Sequence, residues 1–298
     1  MSVCHYLSSL PILTMLFNFK VPVMFLIIAP ISAVPNAVTA YEPGIGTWHF
    51  NEGYGTSASD ASNLQNTGFL SNGPGWTTGK IGLGLRFTCN LANPSLCPMV
   101  IFSNSLTLAT VYFTISVWAM ADKTHQIDPQ SLSGADGVFG QRYAIFPVQA
   151  TSRLGQNNSG SVGLSIGSNG VSVYAHAAFY MPALLVWEGD MTWWTQVTVV
   201  CNNSAVALYV NGTFVKNGLF PTDHVLVLIP GSVGAGEYGD FSGRLDELKL
   251  FDFVMADTAI RAAYLSDVAG MIQYQCPTSI FIKWYVNNLI ITVCISES

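Results

Sequence analysis

The chain is poor in charge. Of its 298 residues, 9% are Asp, Glu, Lys or Arg, where soluble chains average about a quarter. A disordered chain needs many charges and little hydrophobicity; this one is 50% apolar, so general disorder is excluded. Its 11 basic residues are scattered among 17 acids, for a formal charge of −6. Without a basic cluster nothing can displace counterions from a phosphate backbone, which excludes nucleic acid as a partner. There is no Cys-x-x-Cys pair and no His-x-x-x-His spacing among His5, His49, His125, His176 and His224, so neither points to zinc. No catalytic nucleophile motif is expected, and no internal repeat is evident.

What is present is glycine, 27 residues, and aromatics at 12%, set in short alternating runs. In residues 113–120, Phe113, Ile115 and Val117 alternate with Thr114, Ser116 and Trp118, the period of a strand. Residues 194–201 and 205–212 flank Asn202–Asn203–Ser204 and read as a hairpin. Asn211–Gly212 then opens a second tight turn, because both residues accept positive φ. Residues 161–177 read as two strands around Ser168–Asn169–Gly170. One helix is expected, over 257–265, with Asp257 as N-cap and Ile260, Ala263 and Tyr264 on one face. Trp118 and Trp194 lie in strands and are expected to pack in the core. Many short strands and one late helix predict an all-β fold, a two-sheet antiparallel β-sandwich or jelly roll.

The ends are read separately. Residues 21–32 are apolar, follow Lys20 and precede small residues at 33–40, the layout of a secretory signal. Cleavage is expected after Ala40, with Val38 and Ala40 in the small positions, or after Ala33; an uncleaved N-terminal membrane anchor is the alternative. The expected organisation is export segment or anchor over 1–40, one domain over 41–270 and a tail over 271–298. The tail is apolar, but Asn287–Asn288 and Lys283 argue against a spanning helix, and its β-branched content suits a strand. Export favours disulfides; Cys89 and Cys97, eight residues apart across a proline-containing loop, are expected to form one, while Cys201 reads as a buried thiol. Asn157, Asn202 and Asn211 begin N-x-S/T glycosylation sequons.

Four segments, in order, resemble the laminin G-like jelly-roll family of the concanavalin A-like lectin and glucanase group. They are WHFNEGYGTSASDASNLQNTGFL (48–70), GWTTGKIGLGLRF (75–87), FTISVWAM (113–120), and the series from WTQVTVV through ALYVNG to GRLDELKLFDFVMADTAIRAAY (194–264). The resemblance implies a secreted or surface-attached binding module for carbohydrate or an extracellular protein. It also implies a structural Ca²⁺ at Asp246, with Asp60 and Asn51 as further oxygen donors. By period two, Asp246 is expected to share a face with Leu248, Leu250 and Arg244, leaving Glu247 and Lys249 as a solvated pair. Trp187, Trp193, Tyr174, His176 and Tyr180, in or near the segments that match the family least, are candidate ligand contacts. The same fold group contains glycoside hydrolases, but these need two acids flanking one bond, and the neighbours Asp246 and Glu247 are expected on opposite faces. A structural coat or matrix domain without a small ligand is the other alternative.

Overall fold

The computed structural model describes residues 44–89, 96–102, 110–149, 159–177, 180–222, 224–228, 230–275, 280–286 and 289–295. The export segment, the Asn157 sequon, Cys4, Cys276 and the side chain of Cys294 lie outside these. Two units emerge: Tyr41–Tyr274, and Met1–Ala40 with Gln275–Ser298. In the second, Ile280–Val286 pairs antiparallel with Leu289–Ile295, so the expected strand character of the tail is present. Among the described residues no helix is long and apolar enough to cross a membrane.

The first unit is a sandwich of two large sheets. The eight-stranded sheet runs Thr213–Asn217, Ala205–Val210, Thr195–Asn202, Tyr112–Ala121, Gly243–Phe251, Leu83–Phe87, Gly75–Thr78, and Gly46–Trp48 also pairs with Gly243–Phe251. The nine-stranded sheet runs Ala183–Glu188, Gly170–His176, Ser159–Gly167, Tyr143–Pro147, Pro230–Val233, Met99–Phe102, Gly68–Ser71, Ser57–Ala58. Val225–Val227 joins it parallel to Ser159–Gly167. The chain ends of the domain meet in neighbouring strands, with Trp48 opposite Leu248.

Alternation builds the core between the sheets. Phe113, Ile115 and Val117 face Val162, Leu164, Ile166, Val171 and Val173 in one buried cluster. Asn211 and Gly212 carry the expected positive φ, and the first hairpin turn has it too, at Asn203 and Ser204, which matches the strands' twist. Cys89–Cys97 is a disulfide, and Cys201 is a free, buried thiol whose pKa burial pushes up to about 12.

Three expectations change. Trp118 is buried, but on the outer face of its sheet, beneath a helix that runs Asp257–Gln275 rather than stopping at 265. Trp194 is only half-buried. The strand Gly243–Phe251 also carries a bulge: Asp246 pairs with Trp118 but Lys249 with Ser116, so three steps on one strand oppose two on the other. Glu247 takes φ +50° there. The extra residue breaks the period, so Asp246 lies with Trp118 on the outer face while Leu248 and Leu250 point into the core. Glu247 is not solvated; it is buried against His49, 2.8 Å away, and Lys249, 3.1 Å away.

Candidate functional site

The outer face of the nine-stranded sheet is set by the alternation that builds the core. While Val171, Val173 and Ala175 point inward, Ser172, Tyr174 and His176 point out. Ser172 and Tyr174 do not meet water, because residues 122–141 cross this face and are bonded to it. Gly137 N donates to Met181 O and Met181 N to Gly134 O. A Cβ on Gly137 would come within 2.9 Å of Met181 O, so this close approach requires glycine.

A buried polar network straps the segment down. Tyr174 donates its hydroxyl to Asp128 Oδ2 at 2.6 Å, and Gln141 Nε2 donates to the same oxygen at 2.9 Å. Asn169 Nδ2 donates to His125 O, so Asn169 Oδ1 accepts from His125 Nδ1 at 3.0 Å. His125 Nε2 then accepts from the Ser172 hydroxyl at 2.8 Å. Ser172, His125 and Asn169 thus have the connectivity of a nucleophile, base and orienting group, yet Ser172 is 0% exposed and no substrate reaches it. Against the expectation of no nucleophile motif, one Gly-x-Ser-x-Gly run occurs at Gly163–Gly167. It lies within the strand Ser159–Gly167 rather than on a strand-to-helix turn, and Ser165 Oγ is buried, donating to Gln141 Oε1 at 2.9 Å. Neither serine forms a nucleophile elbow.

Burial, the largest effect, lowers the His125 pKa; the Asn169 contact and the Asp128 carboxylate only partly oppose it. The unfolded chain therefore takes up this proton first, and the stabilisation present above the ordinary value near 6.5 is lost as pH falls through the folded value. The stability difference between wild type and His125→Gln, read from urea midpoints, is expected to shrink between pH 7 and pH 5. A difference that stays constant would refute the assignment.

Above this floor opens a cleft of about 360 Å³, lined by Ala135, Val138, Phe146, Val148, Gln149, His176, Ala177, Tyr180, Met181, Glu237 and Tyr238. Three rings form its wall: Phe146 and His176 have centroids 6.2 Å apart, His176 and Tyr238 5.6 Å, and Phe146 and Tyr238 5.9 Å. His176 Nδ1 donates to Pro147 O at 3.0 Å, which fixes the imidazole. Tyr238 and Glu237 occupy the two-residue tip between Ala235–Gly236 and Gly239–Asp240. Partial burial raises the Tyr238 pKa and the Glu237 carboxylate adds to it, so the phenol stays a neutral donor. Among the described residues Glu237 is the one carboxylate in the lining.

Of the five sequence candidates, His176 and Tyr180 line this cleft and Tyr174 is buried in its floor network. Trp187 packs half-buried against the core, and Trp193, 74% exposed, stands in the 189–194 connection; neither is in the lining. Phe146, Gln149, Glu237 and Tyr238 were missed. The sequence signal for Tyr238 is an aromatic between glycines at a turn. Asn202 is exposed at its turn, while Asn211 Oδ1 accepts from Gln196 N.

The oxygens expected to hold Ca²⁺ are engaged elsewhere. Asp246 Oδ2 accepts from Lys80 N and Ile81 N, and Oδ1 from Glu247 N. Asp60 accepts from Thr47 N, Ser62 N, Ser62 Oγ and Asn66 N, and Asn51 Oδ1 from Leu83 N. Asp246 and Asn51 tie the 80–83 turn and Asp60 the 62–66 loop, and with their oxygens spent on these donors the residues do not fit a cation that needs six to eight shared oxygens. Among the described residues the group with metal-ligand spacing is Cys89, Cys97 and Asp240, and its sulfurs are joined in the disulfide.

A model of the concanavalin A-like lectin/glucanases superfamily, laminin G-like, matches residues 99–261. No curated protein matches the chain in sequence. Among solved structures, domain 4 of AbnA, a GH43 extracellular arabinanase from Geobacillus stearothermophilus, in complex with arabinotriose, is similar over 74% of this chain and 97% of that one, at 15% identity and TM-score 0.50. The binding domain of botulinum neurotoxin DC in complex with rat synaptotagmin II is similar over 78% of this chain and 52% of that one, at 12% identity and TM-score 0.53. The botulinum neurotoxin type G receptor binding domain is similar over 76% and 51%, at 12% identity and TM-score 0.51. The chain spans about half the length of those toxin domains, and likeness at these identities is likeness of fold. The family match covers over half the chain, and the strands before residue 99 complete the same two sheets, so the chain belongs to the concanavalin A-like lectin/glucanases superfamily.

Proposed function

We propose that this protein is a non-catalytic recognition module that binds carbohydrate in the aromatic cleft on the outer face of the nine-stranded sheet. The observation that carries this reading is the ring group Phe146, His176 and Tyr238 beside Tyr180, with Glu237 and Gln149 in the same lining. A sugar ring presents C–H groups on its faces and hydroxyls on its edges. Aromatic rings suit the first, and a carboxylate and an amide suit the second. The strapped floor keeps the ordering cost of binding low, and the volume lies within the range of about 300–1,000 Å³ usual for ligand sites. Cleavage of a glycosidic bond needs a second acid, and among the described residues the lining offers Glu237 alone. The arabinotriose held by the arabinanase domain supports a sugar ligand on this fold. The disulfide supports a place outside the reducing cytosol, to which the 1–40 segment would direct the chain.

A glycan array probed with the full chain tests the reading. At least one carbohydrate is expected to be retained, and Tyr238→Ala is expected to weaken it about tenfold, about 1.4 kcal/mol, with the β-sheet circular dichroism spectrum unchanged. No retention, or retention indifferent to Tyr238→Ala, would sink it.

A further inference from the structure

The first unit holds a second cavity, of about 410 Å³. Its lining includes Asn203 and Ser204 at the tip of the Thr195–Asn202/Ala205–Val210 hairpin, and Phe220, Thr222 and His224. Leu226 N donates to Ser204 Oγ at 3.0 Å, which ties the hairpin tip to the strand that follows His224. The His224 ring lies 5.0 Å from the ring of Tyr180. Tyr180 lines the first cavity and His224 the second, so this pair of rings is a wall common to both. Phe220, 50% exposed, gives the second cavity a ring of its own. Among the described residues neither lining contains Lys or Arg, and Glu237 in the first repels a sulfate or carboxylate.

We infer that the two cavities are subsites of one groove, and that the ligand is an extended neutral oligosaccharide crossing the Tyr180–His224 pair, not a single sugar or an acidic glycan. This rests on the reading that the first cleft binds carbohydrate. Each cavity alone is near the lower end of the usual range of about 300–1,000 Å³ for one ligand, which suits one or two sugar units apiece. Units held in the second cavity bind in effect intramolecularly once the first is filled, so affinity grows with chain length until the groove is full.

The test is calorimetric titration of the full chain with α-1,5-arabino-, β-1,4-gluco-, β-1,4-xylo- and β-1,4-N-acetylglucosamine oligomers of one to six units, with sialylated and sulfated trisaccharides as acidic comparators. At least one neutral series is expected to tighten tenfold or more between two and five units and then level off. Phe220→Ala, at an exposed site that leaves the core intact, is expected to remove that gain while leaving the shortest ligands unchanged. Tyr238→Ala is expected to weaken every length. Affinity independent of length, a Phe220→Ala effect equal at all lengths or absent, or acidic glycans bound as tightly as neutral ones would overturn the groove. If short oligomers still bind and still depend on Tyr238, the single-cleft reading survives that failure; if no oligomer of any length binds, both readings fall.

Discussion

Replacing Asp246 by alanine is expected to lower the unfolding free energy by about 3–5 kcal/mol, since each buried donor left without its acceptor costs about 1–3 kcal/mol and relaxation recovers part of the sum. The side chain is 0% exposed and takes three backbone hydrogen bonds, from Lys80 N at 2.7 Å, Ile81 N at 2.9 Å and Glu247 N at 2.8 Å. The first two come from the tight turn closed by Gly79 N and Gly82 O. A Cβ on Gly79 would lie 2.6 Å from Asp246 Oδ2, so glycine lets the turn sit on the carboxyl. Asp246→Asn is expected to cost less, about 2 kcal/mol, because an amide can present its acceptor to one side only. Burial, the largest effect, pushes the Asp246 pKa up to about 8; the backbone donors oppose this and the Glu247 carboxylate adds to it. A carboxyl pKa raised on folding means a contribution fully present below the ordinary value near 4 and lost as pH rises through about 8. The gap in denaturation midpoint between wild type and Asp246→Asn should therefore narrow from pH 5 to pH 9. The chelator EDTA is expected to leave the wild-type melting temperature where it is. A fall on chelation that Ca²⁺ restores would show that these oxygens serve a metal.

Asp267→Ala is expected to cost about 2–4 kcal/mol, since it removes a charged acceptor from buried donors, and to release the helix. Asp267 lies on the helix Asp257–Gln275, facing the outer side of the eight-stranded sheet. Its Oδ2 accepts from Trp118 Nε1 at 2.8 Å and Gln196 Nε2 at 3.0 Å, and its Oδ1 from Lys249 Nζ at 3.2 Å. The Trp118 ring is held between Lys80 Nζ, 4.5 Å from its centroid, and the stacked Tyr264 ring at 5.7 Å. Without the carboxylate the Trp118 and Gln196 donors face an apolar helix surface. Loss of helical ellipticity with a red shift of tryptophan emission, ahead of sandwich unfolding, is the expected observation. Asp267→Asn keeps one acceptor and should lose about half as much. If Asp267→Ala leaves the fluorescence and the denaturation midpoint unchanged, the helix is held by Ile260 and its apolar neighbours alone.

The strands and hairpins were legible because they are local. Alternation at Phe113, Ile115 and Val117 marks a face whatever lies opposite, and Asn211–Gly212 carries the φ preference of a two-residue turn in its own residue types. The bulge at Glu247 was not legible. One residue added opposite Trp118 moves Asp246 and Leu248 to different faces, yet the run GRLDELKLF reads as an ordinary strand, because nothing in it says where the partner strand's register slips. The burial of Ser172 and Tyr174 was hidden for a related reason. They read as an outward face, and the 122–141 segment that covers them has no periodicity to predict a covering role.

Residue order alone determined the class of the fold, the turns and the Cys89–Cys97 bridge. Each depends on short-range pattern or on chemistry carried by the residues themselves. Tertiary structure alone decided which polar side chains are spent on backbone donors and which rings share a wall. Phe146, His176 and Tyr238 come from three separate strands and turns, and their neighbourhood depends on strand order within the sheet. That order is settled by burying the whole core at once, a cooperative property that no single stretch of the chain contains.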